Sequence, residues 1–111
     1  MRIGRFNKYK VAPKEDRTID GITFASKREM TRWLELNLLV KAKEISDLHR
    51  QITFDIQVNQ EHICKYIADF TYIERGKQIV EELKGFETPE FKLKWKLCQA
   101  LWPHFVWKIT K

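Results

Sequence analysis

Asp69, Glu82 and Lys84 are the residues whose types and spacing could do chemistry in this chain. They lie in YIADFTYIERGKQIVEELKG, residues 66–85, which reads as two β-strands around a tight turn. Residues 66–73 are aromatic and β-branched, and 77–83 carry Ile79 and Val80, the side chains that strands favour. Arg75-Gly76 supplies the turn, because Gly76 tolerates positive φ. Side chains alternate across a strand, so Asp69 shares a face with Ile67 and Thr71, while Glu82 shares one with Lys84 and Leu83 points away. Paired as a hairpin, the two strands bring two carboxylates and an ammonium to one end of a sheet beside apolar neighbours. Such a group is costly unless it binds something, and its natural ligand is a hard divalent cation.

A surface ion pair is the plainer explanation for the same residues. Lys84 with Glu82 or Glu81 would then contribute only about 0–1 kcal/mol. The E-x-K triplet alone decides nothing in a chain that is 32% charged, and Glu90-Phe91-Lys92 is a second copy. That copy falls in an expected helix, where positions i and i+2 do not share a face. Glu81 is the competing acid, but it alternates with Ile79 and Leu83 rather than with Lys84.

Asp69 followed after twelve residues by Glu82-Leu83-Lys84 resembles the signature of the PD-(D/E)XK nuclease superfamily. The longer run ADF…VEELKGF…T…KLK is similar to small phage-encoded nuclease-like proteins, and through them to phage endonucleases that resolve branched DNA such as Holliday junctions. The resemblance spans roughly residues 20–107. It departs at the first motif, where Ala68 stands in place of the signature's proline. What it implies is a Mg²⁺-dependent DNA endonuclease, with Mn²⁺ able to substitute, acting on branched or junction DNA in phage replication or recombination. Asp69 and Glu82 would hold the metal, with the Leu83 carbonyl as a further ligand. Mg²⁺ keeps several waters, so one or two carboxylates suffice. The metal would polarise the scissile phosphate and acidify the attacking water, and Lys84 would orient that water or stabilise the phosphate as charge builds. In the resembled family a glutamate of the first helix faces the metal, which assigns that role to Glu29. A glutamine just ahead of the Ile52 strand adjoins the site there, which makes Gln51 a candidate for contact with nucleic acid.

The flanking elements must position these groups. Asp20-Gly21 centres a short turn or hairpin. Ser26 and Glu29 then form a capping box that opens a helix ending near Ala42 or Lys43. Met30, Leu34 and Leu38 recur at steps of four and define its expected packing face, which Asn37 interrupts. Glu29 therefore has two readings, helix cap and metal-site acid, and the resemblance favours the second. Ile45 to Val58 is expected as a strand, with Ile52, Phe54 and Ile56 on its buried side, and Asn59-Gln60-Glu61 turns the chain into the next. Thr88-Pro89-Glu90 starts a second helix whose Phe91, Trp95, Cys98 and Trp102 face the core. Lys92, Lys94 and Lys96 lie off that stripe, either as a solvated face or, for Lys92 and Lys96, as contacts to DNA phosphate. Pro103 ends this helix before a last strand at 105–109. Trp102 and Trp107 are expected in the core. The order α-β-β-β-α-β specifies an α/β fold with a mixed central sheet flanked by helices, which is also the restriction-endonuclease-like core that the resemblance implies.

With 111 residues the chain can bury about 65% of its unfolded surface in one domain. The expected division is a basic flexible arm over 1–17 and one nuclease-like domain over 18–111. The arm holds Arg2, Arg5, Lys8, Lys10, Lys14 and Arg17 against Glu15 and Asp16, a composition that suits either a solvated tail or a segment that orders along a phosphate backbone. The net charge of +6 favours a polyanionic partner, nucleic acid first. No apolar run reaches a membrane span, and the basic start lacks a following apolar stretch, so a cytoplasmic protein is expected, in the host cytoplasm if phage-encoded. No small-molecule cofactor is indicated. Cys64 and Cys98 form no CxxC pair; a zinc site with His62 is possible on paper, and free thiols are the simpler reading. Cutting both strands of a duplex would require a homodimer. Two rival functions remain beside the endonuclease: a non-catalytic basic nucleic-acid-binding module, and an interaction protein with its tryptophans at an interface.

Overall fold

The computed structural model describes residues 11–111. A turn of 3-10 helix at Lys14–Arg17 leads into β1 (Thr18–Ile19), β2 (Ile22–Thr23), α1 (Lys27–Lys41), β3 (Ile45–Val58), β4 (Glu61–Glu74), β5 (Lys77–Leu83), α2 (Pro89–Leu101) and β6 (Val106–Thr110). Three of the connections are two-residue turns with positive φ at both positions: Asp20 and Gly21, Asn59 and Gln60, Arg75 and Gly76. That backbone matches the twist of antiparallel strands, which is why these dipeptides close hairpins.

The chain divides into two compact units, Met1–Leu38 and Leu39–Lys111, with the boundary inside α1. Arg2, Arg5, Lys8 and Lys10 of the expected arm lie outside the described residues. In the first unit Arg17 donates from Nε to the Ala12 carbonyl at 2.9 Å and also to the Phe24 carbonyl. The helix opens on the expected cap, the Ser26 hydroxyl accepting from the Glu29 N–H at 3.1 Å. Its packing face differs from expectation. Leu34 and Leu38 are exposed, the latter by 64%, whereas Leu36 is fully buried and Trp33 half-buried. Both 30-34-38 and 29-33-36 are helical stripes; the Trp33 ring beside buried Phe24, centroids 6.3 Å apart, selects the second. Asn37, which breaks the first stripe, donates its side-chain amide to the Trp33 carbonyl at 2.8 Å.

In the second unit the strands run in the order β3-β4-β5-β6. The first three are antiparallel, and β6 joins β5 in parallel after the α2 crossover, so the fold is α/β with a mixed sheet. The α2 helix starts on a Thr88 cap, with Pro89 in its first turn, as read from the sequence. Its Phe91, Trp95 and Cys98 pack on Phe54, Ile56, Tyr66, Ala68 and Val80. The Phe54 ring is the hub, within 5.1–6.4 Å of the Trp102, Trp107, Phe105 and Tyr66 rings. Trp102 and Trp107 thus serve the core, and the Trp107 indole N–H donates to the Trp102 carbonyl at 3.0 Å. No helix among the described residues is long and apolar enough to cross a membrane.

Truncating the hub should be severe. Phe54→Ala is expected to cost about 3–5 kcal/mol in urea unfolding, and Leu38→Ala less than about 0.5 kcal/mol, despite the place of Leu38 in a regular apolar stripe.

Candidate functional site

β4 does not alternate along its whole length, and that irregularity builds the site. Val80 belongs to the cluster facing α2, and Glu82, two residues on, accepts a hydrogen bond from the Tyr66 hydroxyl of the same cluster. Glu81 therefore points to the other side of the sheet, where the Tyr72 hydroxyl donates to it at 2.6 Å. Phe70 pairs with Glu81 and shares that side. Yet Tyr66, Phe70 and Tyr72 are separated by even numbers of residues and should share one face. The pleat reverses between Ala68 and Phe70, at Asp69. Across the ladder, Ile52 pairs with Ala68 and Arg50 with Phe70, and the residue between them, Gln51, has φ of 55°. The reversal moves Tyr66 to the side of the sheet that carries Glu82.

Asp69, Glu82 and Lys84 meet there. Asp69 Oδ2 accepts from the Leu83 N–H at 2.8 Å, tying β4 to the end of β5. Lys84 Nζ lies 3.6 Å from Glu82 Oε2 and 4.6 Å from the centre of the Phe91 ring. Its backbone N–H donates to the Thr110 carbonyl at 3.0 Å, so the β5–β6 ladder fixes the lysine as well. A cleft of about 270 Å³ opens beside it, lined by Tyr66, Lys84, Thr88, Glu90, Phe91 and Lys94.

Burial pushes the Glu82 carboxyl up to about 7; Tyr66 opposes this by its hydrogen bond, the Asp69 charge adds to it, and Lys84 opposes it. Burial, and then the carboxylate that accepts from it, push the Tyr66 phenol far above its ordinary value. Tyr66 is thus a permanent donor, and it holds one Glu82 oxygen while the other faces Lys84. The donor set is all oxygen, two carboxylates on one side of a sheet, which suits a hard cation that keeps most of its waters. No group of three or more His, Cys, Asp or Glu side chains able to hold a metal forms among the described residues.

The other predicted residues are placed as follows. Glu29 is buried in α1 of the first unit. Gln51 is exposed, opposite Asp69 in the ladder. Lys92 and Lys96 are exposed along α2, while Lys94 pairs with Glu90 at 3.0 Å. His62 bonds Asp55 at 2.6 Å, and both cysteines are free. Burial, and then neighbouring Cys64, push the Cys98 thiol up to about 11, which suits a packed thiol more than a zinc ligand. Tyr66 was absent from the sequence reading, because strict alternation sets it on the face away from Asp69.

The raised Glu82 carboxyl makes a signed prediction for metal-free protein. The folded state keeps a proton up to about pH 7 that the unfolded chain releases near 4.5. Stability should therefore fall as pH rises through that window, by about 1–2 kcal/mol after allowance for solvent screening. Urea midpoints measured from pH 4.5 to 8 should decline for the wild type and flatten for Glu82→Gln.

No curated protein and no solved structure matches the chain. Residues 6–111 match a family described as "Protein of unknown function (DUF1064)", and the chain belongs to that family.

Proposed function

We propose that the protein is a metal-dependent endodeoxyribonuclease of the PD-(D/E)XK type, hydrolysing phosphodiester bonds in DNA with Mg²⁺ or Mn²⁺. The observation that carries this reading is the meeting of Asp69, Glu82 and Lys84 on one side of the sheet, with Lys84 lining an open cleft. The net charge of +6 and the exposed Lys92 and Lys96 support a polyanionic substrate.

Asp69 and Glu82 would hold the metal. When bound, the metal supplies a polarised phosphate and a water acidic enough to act as nucleophile. Glu82 would give up its own proton on binding, so metal affinity should rise as pH passes about 7. Tyr66 keeps donating to Glu82, fixing the carboxylate without competing for the proton. Lys84, its ammonium held over the Phe91 ring, would stabilise the phosphate as charge develops. Water oxygen bonds to phosphorus and loses a proton to solvent as one ester P–O bond breaks, and the leaving oxygen takes a proton from solvent. Glu29 is proposed as a further acid on the strength of the resemblance, as are branched or junction DNA as substrate, the homodimer and a role in phage recombination.

A second reading is a DNA-binding module without catalysis, in which Asp69, held by the Leu83 N–H, and Glu82, held by the Tyr66 hydroxyl, brace the end of the sheet. The two separate in one assay. Full-length protein with duplex, nicked and four-way-junction DNA should cleave in Mg²⁺ or Mn²⁺ and not in EDTA. Asp69→Asn and Lys84→Ala should each lower the rate by roughly 10²–10³-fold while retaining DNA binding. Undiminished cleavage by Asp69→Asn would reject the metal site, and binding with no cleavage by the wild type would favour the module.

A further inference from the structure

Phe86, two positions beyond Lys84 of the proposed site, is a large apolar residue that is 76% exposed. The other large apolar side chains exposed among the described residues are aliphatic. Single exposed apolar groups need no explanation in themselves. The setting of Phe86 is what calls for one.

The loop that carries it, between β5 and α2, is pinned on both sides. Before it, the Lys84 N–H donates to Thr110; after it, Lys111 donates to the Glu87 carboxylate at 2.9 Å and Thr88 caps the Phe91 N–H at 3.1 Å. Lys111, by its hydrogen bond, and then the charges of Lys111 and Lys92, hold the Glu87 carboxyl below its usual range. The ring is therefore presented to water by an anchored backbone, with Lys84 two residues before it and Lys92 near its neighbour. Two residues span at most about 7 Å, on the order of one nucleotide step.

An exposed aromatic ring on a lysine-bearing segment can take a base on its face while nearby cations take the adjoining phosphate. In an intact duplex the base faces are already stacked and closed to such a ring. They become available at flaps, strand ends and branch points, or where a wedge unstacks a step. We infer that Phe86 is a specificity-determining residue that stacks on an unpaired or unstacked base next to the scissile phosphate, selecting DNA with interrupted stacking. This rests on the nuclease reading of the neighbouring site.

The test is equilibrium binding of the full chain in Ca²⁺, by fluorescence anisotropy, to a plain duplex and to the same sequence carrying a single-stranded flap. Phe86→Ala should weaken flap binding roughly 5- to 100-fold and leave duplex binding within about twofold, while Phe86→Trp keeps both. A 2-aminopurine base at the branch should be quenched by the wild type and not by Phe86→Ala. Equal loss on both DNAs, no loss on either, or a change confined to oligomeric state in sedimentation overturns the inference. Failure of the nuclease reading shows separately, as a wild type that cleaves no DNA in Mg²⁺.

Discussion

A buried carboxylate has to be satisfied or neutralised, and Glu82 meets that requirement in a way that organises its surroundings. Tyr66 approaches one oxygen from β4 and Lys84 the other from just past the end of β5. Burial alone would hold the acid protonated at neutral pH; the tyrosine and the lysine pull the other way, and the result lies close to neutrality. The group is therefore poised between its protonated and ionised forms near neutral pH. The aromatic cluster beneath α2 keeps it so, since Tyr66 and Phe91, which border the acid and the lysine, are themselves core residues.

The reversal at Asp69 is what lets one short stretch of sheet hold this group. A regular β4 would commit Tyr66 and Asp69 to opposite faces. With Gln51 in a left-handed conformation across the ladder, the two strands change sides together, and both sides of β5 then carry a glutamate bonded to a β4 tyrosine. A non-glycine residue at positive φ in the middle of a strand costs of order 1–3 kcal/mol, and such strain collects at functional sites.

Much of this was legible in the sequence. Dipeptides such as Asp20-Gly21 and Arg75-Gly76 marked the hairpins, Thr88-Pro89 marked the start of α2, and the period of two placed Glu82 with Lys84. Those signals are local, so sequence carries them. Tyr66 was hidden because its role depends on a break in periodicity that nothing at 66–70 announces; Gln51, which sits at the break, is not a residue that favours positive φ. The α1 stripe was misread for a related reason. Two apolar periods overlap there, and a ring contact with Phe24, outside the helix, chooses between them.

The central claim is that Asp69 and Glu82 together hold a divalent cation beside Lys84. The most direct measurement is an anomalous difference map from crystals of the full chain grown with Mn²⁺. The account predicts a peak within bonding distance of both carboxylates, on the side of the sheet that carries Lys84. A peak bound elsewhere, or none there at saturating Mn²⁺, would contradict it.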